Sequence, residues 1–232
     1  MEHIKALFFD VFGTLVDWRS GITQAFVRVA GKAGLNADWK AAADAWRSRY
    51  YPAMARVLTG ERTFRPLDVL HAEMLDEVIA EFGLEVLDTT GRAELVRAWH
   101  QLAPWPDAVP GLSALRARHI LTPLSNGGVG LLARLAKAAG LPFDCILSAE
   151  LAGTYKPDPR VYALPSAYFD VPADRVLMVA CHPSDLEGAQ RAGLRTAFIP
   201  RPLEWGPDGI APAPPDGVDL AASDLIALAA QL

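Results

Sequence analysis

The chain has 232 residues, 51% of them hydrophobic and 21% charged, with a formal net charge of -5. That length and apolar content give one large domain, or a core carrying a smaller insertion, and exclude a disordered chain. The mild acidity offers no electrostatic basis for nucleic acid as a partner, no apolar stretch approaches the length of a membrane span, and two cysteines, Cys145 and Cys181, do not make a disulfide framework.

The N-terminus enters an apolar strand without a cleavage site, so a cytoplasmic protein handling a small molecule is expected. Residues 4–9 predict a buried strand ending at Asp10, which a turn, Val11-Phe12-Gly13-Thr14, follows. An acid there stands where open α/β folds bind ligands, although Asp also caps turns. Helical spacing then predicts helices over 22–34, with Ile22, Phe26, Val29 and Ala33 on one face, and over 39–57, capped by Asp38 and kinked or broken at Pro52. Further helices are predicted over 67–82, stopped by Gly83, and over 90–102. This is an all-helical insertion of roughly eighty residues, the size of a small domain.

The proline-rich segment 103–111 returns the chain to a different pattern. Helix 111–118, strand 119–125, helix 128–140, strand 143–148, helix 159–169, strand 175–180, helix 184–193 and strand 194–199 alternate. Such alternation predicts an α/β fold with a doubly wound, Rossmann-like parallel sheet. Residues 200–218 read as an ordered loop rich in proline and glycine, and a helix over 221–231 closes the chain. The expected division is a core of 1–17 and 103–232 with 18–102 inserted.

Three more polar clusters fall at strand ends: Ser125-Asn126-Gly127-Gly128, Lys156-Pro157-Asp158-Pro159, and Cys181-His182-Pro183-Ser184-Asp185. Alone, each reads as a helix cap, a surface lysine or a first-turn acid. In this order, however, they converge with Asp10 on one sheet edge.

With those motifs at Asp10 to Thr14, Ser125, Lys156 and Asp185, the chain resembles the haloacid dehalogenase superfamily, and the helical insertion resembles its cap domain. In that superfamily, phosphatases place a second Asp two residues after the nucleophile as general acid. Here the residue is Phe12, which moves no proton, and a halide leaving group needs none. The chain therefore resembles an L-2-haloacid dehalogenase. The resemblance implies Asp10 as nucleophile forming an aspartyl ester, Lys156 keeping Asp10 ionised, and Asp185 directing the hydrolytic water. Thr14 and Ser125 would hold carboxylate oxygens. Substrate and halide binding falls to Val11, Phe12, Arg47, Asn126, Tyr162 and His182. Arg47 comes from the segment Asp44-Ala45-Trp46-Arg47-Ser48-Arg49-Tyr50-Tyr51, with Arg49 its close rival. Tyr162 comes from the stretch 156–162, Lys-Pro-Asp-Pro-Arg-Val-Tyr.

The family's usual Ser-x-Asn-x-x-Asp is replaced by Ala180-Cys181-His182-Pro183-Ser184-Asp185. His182 is expected to take the asparagine's hydrogen bond and to make activity depend on pH near neutrality. The resemblance implies a homodimer and no cofactor. Three rival readings remain. A phosphatase would bind Mg²⁺ through Asp10 and Asp185. A nicotinamide enzyme is suggested by Gly128-Val129-Gly130-Leu131-Leu132-Ala133 with Glu150 about twenty residues on. A silent binding module is disfavoured by Asp10, Lys156 and Asp185 gathering on one edge.

Overall fold

The computed structural model describes residues 3–210 and 212–232. Among these, strands β1 (Ala6–Phe9), β2 (Ile120–Ser125), β3 (Leu147–Ser148), β4 (Val176–Ala180), β5 (Arg195–Phe198) and β6 (Leu220–Ala221) form one sheet in the order β3-β2-β1-β4-β5-β6, with every pair parallel. Parallel strands need helical crossovers, and these bury both faces of the sheet. β1 shows this directly, because all four of its side chains are buried. Leu7 and Phe9 join one apolar cluster, and Ala6 and Phe8 join a second on the opposite face.

Helices α1 (Trp18–Lys32), α2 (Trp39–Ser48), α3 (Tyr50–Leu58), α4 (Leu67–Phe82) and α5 (Thr89–Ala98) lie between β1 and β2 in the chain. Their buried stripes, which include Ile22, Phe26, Trp46, Leu70, Leu75 and Leu95, continue the cluster of Leu7 and Phe9. Exit and return run side by side, since Asp17 N–H donates to Ala103 O and Trp105 N–H to Leu15 O, each at 2.9 Å. Around the sheet lie α6 (Ala108–Arg116), α7 (Val129–Ala139), α8 (Pro159–Phe169), α9 (Pro183–Arg191) and α10 (Leu225–Gln231).

Several boundaries differ from the sequence expectation for identifiable reasons. Helix α1 starts at Trp18 because the Asp17 carboxylate accepts the Ser20 N–H. The break expected at Pro52 falls at Arg49, between α2 and α3, and Pro52 sits in the first turn of α3, where no intrahelical donor is lost. Pro110 is likewise accommodated in the first turn of α6, so that helix reaches into the expected linker. Helix α5 ends at Ala98, short of the expected 102.

The strand expected over 143–148 is two residues long, because Asp144 replaces ladder bonds by accepting the Leu121 N–H on its carboxylate and donating its own N–H to Leu121 O. Strand β6 was hidden by its brevity, and α10 begins only at Leu225, after an Asp224 cap.

Helices α6 and α10 meet at Gly111, where an added Cβ would stand 2.5 Å from Leu225 Cβ and 2.9 Å from Leu225 O. Overpacking of roughly 1–3 kcal/mol outweighs the helix propensity that alanine gains over glycine, about 1 kcal/mol. Gly111→Ala is therefore expected to lower the urea midpoint, and a raised midpoint would show that α10 shifts freely.

Candidate active site

Three adjacent strands end close to one another: Phe9, the last residue of β1, is paired with Pro123 of β2 and with Val179 of β4, which run on for two residues and one residue. Asp10, Ser125-Asn126 and Cys181-His182, at or just past those ends, therefore share the carboxyl edge of the sheet. Asp10 stays in line through its N–H to Val179 O, 3.0 Å. Gly13 follows with φ +88°, and an added Cβ there would overlap Glu204 Oε1, so the turn requires glycine twice over.

Asp10 is 8% exposed. Its Oδ2 accepts the Thr14 hydroxyl at 2.8 Å and His182 Nδ1–H at 2.8 Å. Thr14 is aimed by the Cys181 N–H, which donates to its Oγ1 at 3.0 Å. Lys156 Nζ lies 3.8 Å from Asp10 Oδ1 and donates to Asp185 Oδ2 at 2.6 Å, while Tyr162 O–H donates to Asp185 Oδ1 at 2.7 Å. Gly188 makes room for the Tyr162 hydroxyl on α9. On the far side of His182, Nε2–H donates to Glu204 Oε1 at 3.0 Å, an oxygen that also accepts Trp18 Nε1–H.

Burial opposes the Asp10 anion, but Lys156, then His182 and Thr14, outweigh it and hold the carboxyl well below the usual range. Burial pushes the Asp185 carboxyl up, against the pull of Lys156 and Tyr162. His182 is raised well above an ordinary histidine: burial works against the cation, and Cys181, Asp10 and Glu204 outweigh burial. Because burial pushes the Cys181 thiol up, the two carboxylates are the charges present near neutrality. The titration of His182 thus lies on the alkaline side of an ordinary histidine's.

A cavity of about 170 Å³ is lined by Asp10, Phe12, Arg47, Tyr50, Tyr51, Asn126, Lys156, Pro157, Tyr162, His182, Ser184 and Asp185. An apolar cavity of about 150 Å³ holds benzene, so this one has room for a small organic acid. A larger groove of about 950 Å³ between α4, α5 and α7 is lined by none of these residues.

Arg47 is buried with its guanidinium 4.3 Å from the Tyr50 ring centroid, and among the described residues its Nε and Nη1 have no hydrogen-bond partner. Arg49 instead lies on the outer face, bound to Glu77 and Glu81. Asn126 accepts the Lys156 N–H and donates to Met54 Sδ. Ser125 is buried beside the cavity, with its Oγ accepting the Gly127 N–H at 3.3 Å. The Val11 side chain is packed in the core and its carbonyl accepts from Leu15 and Val16, so what it can offer a ligand is its N–H.

Glu204 is the residue that sequence reasoning missed. Its signal was an acid between Leu203 and Trp205 in a long loop without regular structure, and such loops carry function more often than chance. Trp18, Trp99 and His71 were also missed. His71 stacks on Trp99 at 4.4 Å, and burial pushes it down to about 3, so it is a neutral core histidine.

Donor atoms of Asp10, Cys181 and His182 lie within 4.8 Å of one another. Each is already committed, Asp10 to Thr14, His182 to two carboxylates and the thiol to Glu204 Oε2 at 3.7 Å, so the group is a hydrogen-bond network. Between Asp10 and Asp185, where the Mg²⁺ reading needs a cation, the Lys156 ammonium supplies the charge. The nicotinamide reading fails at the start of α7. Glu150 Oε2 accepts the Val129 N–H at 2.7 Å, so a carboxylate of the chain itself takes the helix N-terminus where a pyrophosphate would sit.

A parallel sheet whose carboxyl edge gathers an aspartate, a lysine and a second aspartate, with helices inserted after the first strand, is the arrangement of the haloacid dehalogenase-like hydrolases. The model of that family matches residues 4–193, and the chain belongs to it. Within the family it is one of the (S)-2-haloacid dehalogenases. It is 33% identical over 206 residues to (S)-2-haloacid dehalogenase 1 of Pseudomonas sp. (strain CBS-3), covering 87% of this chain and 86% of that one. Among solved structures, a defluorinating L-2-haloacid dehalogenase superposes with a TM-score of 0.96 at 45% identity, over 99% of this chain and 95% of that one. The L-2-haloacid dehalogenase of Xanthobacter autotrophicus with chloropropionic acid covalently bound gives 0.81 at 27%, over 98% and 97%.

Tyr162 donates to the ionised form of Asp185, so its removal raises the Asp185 pKa further. A hydrogen bond to a charged group is worth about 1.5–3 kcal/mol, and one pH unit corresponds to about 1.4 kcal/mol. Tyr162→Phe should therefore move the acid limb of turnover upward by about one to two pH units; a pH–rate profile whose limb does not move would detach that limb from Asp185.

Proposed function

We propose that the protein hydrolyses short (S)-2-haloalkanoic acids to 2-hydroxy acids through an ester on Asp10. The observation that carries this reading is the asymmetry of the Asp10 carboxylate. Oδ2 is tied by Thr14 and His182, whereas Oδ1 takes no hydrogen bond among the described residues and belongs to a side chain lining the cavity. A buried, ionised oxygen without a donor is a strong nucleophile. Oδ1 attacks the halogen-bearing carbon from the side opposite the halogen, so the carbon inverts and an (S)-acid gives an (R)-hydroxy acid.

The leaving halide takes no proton, which suits Phe12 at the position of a phosphatase acid. Arg47, with donors to spare, holds the halide together with Asn126. Ser125 and the loop N–H groups hold the substrate carboxylate. Asp185, oriented by Lys156 and Tyr162, takes the proton of the water that opens the ester. Residues 18–102, which hold helices α1 to α5, act in this reading as a cap over the core of 1–17 and 103–232, delivering Arg47 and Tyr50 to the cavity. The active constellation uses no metal or other cofactor, its cations being Lys156, His182 and Arg47.

Halide release from (S)-2-chloropropionate, with none from the (R)-acid and no loss in EDTA, is expected; phosphate release from common phosphoesters with Mg²⁺ and no halide release would reverse the reading. Replacing Arg47 by Lys removes charge-assisted bonds of about 1.5–3 kcal/mol, or roughly 10- to 100-fold in kcat/KM. Arg49→Lys should leave kcat/KM as it is.

A further inference from the structure

We infer that Glu204 is a positioning residue for ester hydrolysis, holding His182 as an imidazolium whose Nδ1–H, with the Thr14 hydroxyl, receives the oxyanion on Asp10 Oδ2. This deepens the proposed reaction and rests on it. Both ring nitrogens of His182 face carboxylate oxygens, Nδ1 at 2.8 Å from Asp10 Oδ2 and Nε2 at 3.0 Å from Glu204 Oε1. A carboxylate only accepts, so both nitrogens must carry hydrogen. If Oδ1 becomes the ester oxygen, Oδ2 becomes its carbonyl oxygen, already carrying two donors.

Water then bonds to Asp10 Cγ and gives a proton to Asp185, while the carbonyl electron pair moves onto Oδ2. Collapse re-forms the carbonyl and breaks the Cγ–Oδ1 bond. The departing alkoxide retrieves the proton from Asp185, and the new Asp10 carboxyl releases its own to solvent.

Alkylation removes the Asp10 charge, so in the ester Glu204 is the carboxylate left facing His182. Its place is fixed by Trp18 Nε1–H and by the absence of a Cβ on Gly13. The groups facing His182 are Asp10 after β1, Cys181 at its own strand end and Glu204 after β5; Arg47 and Lys156 stand behind Glu204 and Asp10. Glu204 thus matters to the second half-reaction and much less to the first.

The test separates the halves on (S)-2-chloropropionate, following the halide burst and, by intact mass, the ester-bearing protein. Removing an oxyanion donor costs about 10²–10³-fold, and Glu204→Gln, which weakens one, should slow hydrolysis by about tenfold or more, accumulate the ester and leave the burst nearly intact. Its hydrolysis rate should fall at lower pH than in the unaltered protein. Glu204→Asp should restore the profile, His182→Asn should abolish the alkaline inflection, and Cys181→Ala should retain it. Equal slowing of burst and hydrolysis, or profiles that superimpose, would overturn the inference. Should Glu204→Gln not fold, His182→Asn decides, since an inflection that survives it refutes the role. A protein that releases no halide at all would instead refute the proposed reaction.

Discussion

The structure turns on keeping one carboxylate ionised where water is scarce. Asp10 sits at the end of the central strand β1, nearly buried, and a lone anion there would take up a proton rather than bear the loss of solvation. Lys156, first, and His182 prevent this, and they are paired in turn with Asp185 and Glu204. With Arg47, three positive groups balance three negative ones, and all but Glu204, which stands behind His182, line a single cavity. The proposed alkylation leaves this balance undisturbed, because a substrate anion enters and a halide ion leaves. The net charge is the same before and after, and no proton need cross the site in that half-reaction.

The scaffold answers to the same constraint. Lys156 precedes α8, His182 precedes α9, Glu204 follows β5 and Arg47 comes from α2, so four separate segments must arrive together. Neighbouring strand ends at β1, β2 and β4, within two residues of one register, bring them to one edge, and small residues let the elements close up. Gly13 admits the Glu204 carboxylate and Gly188 admits the Tyr162 hydroxyl. Trp18 Nε1 ties the first inserted helix to Glu204, and Trp105 Nε1 ties the return linker to Gly13 O. The turn after Asp10 is therefore clamped from the helices between β1 and β2, the return linker and the loop after β5.

What could be read from residue order follows the same logic. Asp10, Lys156 and Asp185 stood out because each is a charged residue where a buried strand gives way to a loop or a helix begins. Arg47 and Arg49 looked interchangeable by segment, yet they point about 200° apart on a helix. Arg47 falls four residues after Ala43 on the buried face, while Arg49 ends α2 on the outside. Using the apolar stripe as a ruler would have separated them. Glu204 offered no such ruler, because its position depends on how an irregular loop folds back 190 residues from the turn it supports. Strands β3 and β6 were unreadable for a related reason. Two residues are too few for an alternation, and side chains such as Asp144 and Asp219 do work that longer ladders do elsewhere.

Beyond its part in the proposed reaction, Phe12 is a packing residue. Its ring meets Trp99 edge-on at 5.8 Å, and Trp99 is in turn packed against Trp18, Trp46 and His71, so one side chain from the nucleophile's turn is keyed into the aromatic centre of the inserted helices. An acid at this position would put a second carboxylate two residues from Asp10, in place of a ring packed on Trp99. Burial and the like charge of Asp10 both push the pKa of such an acid up. In the proposed reaction the residue that withholds a proton from the leaving group is thus also one that packs against the helices between β1 and β2. The proposed chemistry and the packing favour the same side chain.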